Sequence, residues 1–129
     1  MTPRVRAFAR WLAALCINDI LEPLNDALEY AQLMPDKIAS SADQLTSLLF
    51  DIPSRHVDYE LQRLRHEDPE IRRDRGDLDD LAALSVAVPY CDVVVTEKMW
   101  THLIKRSNLS GKYNTLVLRR LDDLVGVVY

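Results

Sequence analysis

Along most of the chain apolar residues recur every three or four positions, and only twice does that spacing give way to a short unbroken aliphatic run. The first pattern lays one face of a helix against a core; the second suits a strand covered on both faces. Thr2 and Pro3 open the first helix, and Val5, Phe8, Leu12 and Leu15 follow at helical spacing. It is predicted to run to about Ile20, because Pro23 interrupts it. Asn25 caps a second segment carrying Leu28, Tyr30 and Leu33, which the Met34–Pro35 step ends, since a residue before proline avoids the helical region. Ser41 with Gln44 three residues later forms a capping box ahead of Leu45, Leu48 and Leu49, and Asp51-Ile52-Pro53 closes that third helix. Ser54 caps a fourth, with Val57, Leu61 and Leu64 on one face, Arg55, Asp58, Arg63 and Arg65 on the other, and its end at Asp68–Pro69.

A charged connector, Glu70 to Arg75, leads through Gly76 into the stretch GDLDDLAALSVAVPYCDVVVTEKMW, residues 76–100. Asp77 reads as the N-cap of a short helix to Val88, which Pro89 stops. The run Val93-Val94-Val95-Thr96 has no alternation and is the first predicted strand. A helix from Glu97, capped by Thr96, to about Arg106 buries Met99, Trp100, Leu103 and Ile104. Asn108 to Gly111 forms its turn, and Thr115 to Leu118 is the second strand. Leu121, Leu124 and Val125 end the chain on a short helix. Two apolar strands joined by a helix make a βαβ unit and are predicted to lie parallel.

The fold class is therefore α/β, mostly helical, in a single domain over residues 1–129: a helical part, 1–69, and an α-βαβ-α part with a small parallel sheet, 77–129. Two strands alone leave apolar edges that invite pairing. The N-terminal helices or a second copy of the chain, in a homodimer, are expected to cover them.

Strand ends then select the candidate chemistry. In open α/β sheets, ligands gather outside the carboxyl ends of the strands, which here means Thr96 and Glu97. Asp77 and Asp80 are three apart and share a helix face, whereas Asp79 points away. Asp92 stands at the other end of the strand, roughly 16 Å from Glu97 at about 3.3 Å per residue, and cannot share an ion with it. Asp77 and Asp80 are equally what a helix dipole favours in a first turn, and Glu97 also fits that role.

Composition narrows the partners. A net charge of −4 over 129 residues argues against nucleic-acid affinity through bulk charge, although Arg72, Arg73 and Arg75 beside the acids could grip RNA phosphates. Cys16 and Cys91 have no CxxC spacing, which suits a reducing, cytoplasmic setting. No apolar run reaches the roughly 20 residues that span a bilayer, so no membrane is expected. The three histidines lack metal spacing. Trp11, Trp100 and Tyr90 are expected in the core.

The order Asp77-Leu78-Asp79-Asp80-Leu81, then Val88-Pro89-Tyr90-Cys91-Asp92-Val93-Val94-Val95-Thr96-Glu97, resembles the C-terminal half of a PIN-like nuclease domain. The likeness follows the order of elements from about Ile52 to Tyr129 and individual residues from Asp77 to Glu97. The opening strand ending in Asp that such domains carry is not found, so the resemblance implies a truncated, C-terminal portion. It further implies a ribonuclease that binds Mg²⁺ or Mn²⁺, with Asp80 and Glu97 as ligands, Asp77 supporting them, and Thr96 orienting the phosphate or water. The alternative is a non-catalytic protein-interaction module with a degenerate PIN-like fold. A third reading, a helical partner-binding protein unrelated to nucleases, expects Asp80 and Glu97 far apart.

Overall fold

Burial along one side decides where the helices end. In the computed structural model, which describes residues 2–71 and 75–128, α1 (Pro3–Tyr30) is one continuous helix of 28 residues with Pro23 inside it. The predicted break at Pro23 does not occur. Leu12, Cys16 and Ile20 before it and Leu28 after it are all buried, so an unbroken helix keeps one apolar face inward at the cost of a single hydrogen bond. The helix ends instead on a left-handed residue, Gln32 (φ 56°). The Leu33 N–H donates to the Leu28 carbonyl (2.9 Å) and the Gln32 N–H to the Glu29 carbonyl (3.1 Å), a Schellman closure.

A 3-10 turn, Pro35–Lys37, leads to α2 (Ala42–Asp51). Its predicted cap forms: the Gln44 N–H donates to Ser41 Oγ at 3.2 Å. The Gln44 side chain reaches back to the Ser40 N–H (2.7 Å), one residue before the cap. In α3 (Pro53–Glu67), Pro53 takes the first helical position and Ile52 the cap, displacing Ser54 from that role, because a proline there needs no N–H partner. In α4 (Asp77–Tyr90), Gly76 stands at the cap and Asp77 is the first helical residue. The helix passes Pro89 by one residue and closes through the Cys91 N–H to the Ala87 carbonyl at 2.8 Å.

Then follow β1 (Val93–Val95), α5 (Lys98–Arg106), a single turn α6 (Leu109–Lys112) where only a turn was predicted, β2 (Leu116–Leu118) and α7 (Asp122–Val128). The strands are parallel, as their apolar runs predicted, with Val93, Val94 and Val95 opposite Leu116, Val117 and Leu118. The ladder is extended by the Leu116 N–H to the Asp92 carbonyl (2.9 Å) and the Thr96 N–H to the Leu118 carbonyl (3.0 Å). The buried Thr115 hydroxyl donates to the Val88 carbonyl, fixing the start of β2 to the end of α4.

Helix α3 divides the interior. Its Val57, Leu61 and Leu64 join Leu81, Leu84, Val88, Val94, Trp100, Leu103, Ile104, Leu109 and Val117 in the main core. Its Tyr59 faces the other way, into a smaller cluster with Leu12, Cys16, Ile20 and Leu49. The sheet thus lies against α4 and α5, while α1 packs on α2 and α3. The expected cover of the strand edges by the N-terminal helices is not what α1 provides. Among the described residues no helix is long and apolar enough to cross a membrane.

Candidate active site

The acids of the 77–97 stretch meet very different surroundings. Asp77 is only 6 % exposed. Arg65, from the last two turns of α3, reaches it with Nη2 at 2.8 Å from Oδ2, so α3 and α4 are joined by a largely buried ion pair. Sequence spacing gave no signal of this partner, since Arg65 sits twelve positions away across a loop and read as part of a solvated face. The cap role expected of Asp77 belongs to the Gly76 backbone, and its carboxylate serves packing between helices instead.

Asp80, half-buried one turn later, accepts a hydrogen bond at Oδ2 from Trp100 Nε1 (3.3 Å). Asp79 is exposed, as its place on the helix requires. Trp100 is completely buried in the first turn of α5, so the indole links Asp80 of α4 to the start of α5. Glu97 stands there as the N-cap of α5 and is exposed; its carbonyl accepts the Thr101 N–H at 2.9 Å. Thr96, expected at the cap, lies one residue earlier. Its N–H continues the ladder to Leu118, and its carbonyl accepts from the Thr101 hydroxyl at 3.3 Å. Extended backbone at Glu97 (φ −64°, ψ 161°) is what an N-cap needs, and this moves the cap one residue along.

Thr96 and Glu97 therefore stand at the carboxyl end of β1, while Asp80 is tied to the first turn of α5 through Trp100, with Asp77 one turn before it on α4 and tied to α3. Asp92 stands at the opposite end of the strand. The fit to a divalent ion is partial. Mg²⁺ and Mn²⁺ take clustered oxygen ligands, and among the described residues no group of three or more acidic, histidine or cysteine side chains is placed to hold one. Glu60 is taken up by Arg63 at 2.8 Å, and Asp58 by the Gln62 amide at 3.0 Å. Glu22 and Glu29 are exposed on α1. No chemical step through a metal follows from this geometry.

Of the predicted basic residues, Arg75 is exposed just before Gly76, and Arg72 and Arg73 lie outside the described residues. Both cysteines are free thiols; burial first, and the nearby Asp58 and Asp19 next, push the Cys16 thiol up to about 11. Its role is in the core. Trp100 is in the core as expected, but Trp11 and Tyr90 are not: they are 57 % and 62 % exposed.

Compared with family models, with curated proteins and with solved structures, the chain matches none.

Proposed function

We propose that this chain carries the C-terminal half of a PIN-like ribonuclease site, in which Asp80 and Glu97 bind Mg²⁺ or Mn²⁺, Asp77 buttresses Asp80, and Thr96 orients a phosphate or water. The observation that supports the reading best is the bond from Trp100 Nε1 to Asp80 Oδ2. It ties an acid of α4 to Trp100 in the first turn of α5, three residues after Glu97, the N-cap that follows a parallel strand. Convergent carboxylates at such a strand end are the arrangement that holds a divalent ion against phosphate. In this reading a further acid must join Asp80 and Glu97, and a second copy of the chain is one source for it.

The second reading, a non-catalytic interaction module on the same fold, has one observation in its favour: Asp77 is buried in a pair with Arg65, which uses up a carboxylate that a metal site would draw on. Melting temperature with and without Mn²⁺ separates the two. A native-state ligand at about 100 times its dissociation constant adds roughly 2.7 kcal/mol, a shift of several degrees. A shift that Asp80→Asn abolishes, followed by metal-dependent cleavage of unstructured RNA, is the expected result. No shift in either protein overturns the nuclease reading and leaves the module.

A further inference from the structure

An aromatic cleft on the far side of Arg65 is left unexplained by the acids. It encloses about 270 Å³ and is lined by Phe8 and Trp11 of α1 and by Gln62, Arg65 and His66 of α3. Phe8 stacks on His66 with ring centroids 3.5 Å apart and planes 12° apart, and Trp11 leans on Phe8 at 5.7 Å and 40°. Most of the Trp11 indole stays in solvent. Burying an indole is strongly favourable, so one left exposed on a cleft wall has little to do with holding α1 to α3.

Three features choose the occupant. The first is charge: residues 1–18 hold Arg4, Arg6 and Arg10 and no carboxylate, in a chain whose net charge is −4. Arg10 adjoins Trp11, and Arg4 lies two turns before it on the same side of α1. The second is polarity. Gln62 gives its amide N–H to Asp58, which leaves Oε1 as an acceptor on the cleft wall. An aliphatic guest would leave this oxygen unpaired, whereas a planar heterocycle offers a π-face to the indole and a polar edge to the Gln62 amide. The third is position, because the Arg65 side chain that lines the cleft also holds Asp77 of the acidic site.

We propose that this cleft is a base-stacking subsite for single-stranded RNA, with one base on Trp11 and neighbouring phosphates on Arg4 and Arg10. The identity of the nucleic acid rests on the ribonuclease reading above; the stacking geometry stands on the cleft itself.

The chain's two tryptophans make the test direct, since Trp100 is fully buried and Trp11 is not. Titration of the protein with a single-stranded ten-nucleotide RNA in EDTA is expected to quench the Trp11 emission. Trp11→Ala is expected to lose the quench and roughly 5- to 150-fold in affinity, the range that stacking of one base spans, while Trp11→Phe keeps most of the affinity. Circular dichroism establishes that the variants are folded. Equal quenching by an abasic strand or by duplex RNA, or unchanged binding by Trp11→Ala measured by anisotropy of a labelled strand, overturns the subsite. The two proposals fail separately. Quenching that survives in Asp80→Asn, without any Mn²⁺ response in the parent, keeps the subsite and removes the nuclease; a Mn²⁺ response without quenching does the reverse.

Discussion

The indole N–H of Trp100 donates to Oδ2 of Asp80 across 3.3 Å, from a ring that is itself completely buried. The bond couples the main core to the candidate site: the position of the Asp80 carboxylate depends on how a core side chain packs. Trp100→Phe removes the donor and part of the ring's volume, and is expected to cost roughly 2–4 kcal/mol of stability. A double-mutant cycle with Asp80→Ala in urea is expected to show a coupling on the order of 1 kcal/mol between the two. Strictly additive losses would mean that the contact carries no energy of its own.

Arg65 and Asp77 make the other long-range link. With the pair largely shielded from water, removing the guanidinium takes a 2.8 Å charge partner from a carboxylate that is almost fully buried. Arg65→Met is expected to destabilise by about 3 kcal/mol, and the loss should change little between low and high salt, because shielded pairs are screened weakly. Equilibrium unfolding at two ionic strengths checks both parts. A cost of a few tenths of a kcal/mol would place the pair with ordinary surface bridges.

These two links show where reading the chain alone stops. The helices beginning at Pro3, Ala42 and Asp77 and the parallel pairing of the two apolar runs follow from spacing, capping and β-branching, all local properties. Arg65 reaching Asp77, and Trp100 reaching Asp80, are not local: each joins residues on different elements, and nothing in the spacing of either residue marks its partner. Trp11 illustrates a different limit. Helical spacing places it beside Phe8 on the inward side of α1, but Leu12 and Cys16 occupy the centre of that face, and Trp11 falls on its edge. Periodicity locates a face to within a residue, and exposure changes from buried to open over that same residue.

His56 adds a pH dependence. Its Nδ1 lies 2.9 Å from the Tyr113 hydroxyl, with Lys112 Nζ 3.5 Å away. Burial first and Lys112 next hold its pKa below the usual 6.5, against a smaller upward pull from Glu60. The folded state thus keeps His56 neutral, able to accept from Tyr113, at a pH where the unfolded chain has begun to take up the proton. By linkage the stabilising contribution is complete above pH 6.5 and is lost as the pH falls below that value through the folded pKa. Melting curves for the parent and His56→Gln are expected to differ most above pH 7 and to converge towards pH 5. A gap that widens on acidification would reverse the sign and with it the role of Lys112.

Pro23 gives the most direct test of the fold. It sits exposed inside α1, where it removes one backbone hydrogen bond and crowds the carbonyl four residues back. An internal proline is about 3 kcal/mol less favourable than alanine in an unsupported helix. Burial of Ile20 and Leu28 on either side outweighs that here. Pro23→Ala restores the missing bond without touching a buried side chain, so it is expected to stabilise the protein by about 1–3 kcal/mol and to raise the melting temperature by several degrees. Loss of stability would mean instead that a bend at Pro23 aims the last two turns of α1 at the segment around the 3-10 turn, and that straightening them pulls Leu28 out of its buried place.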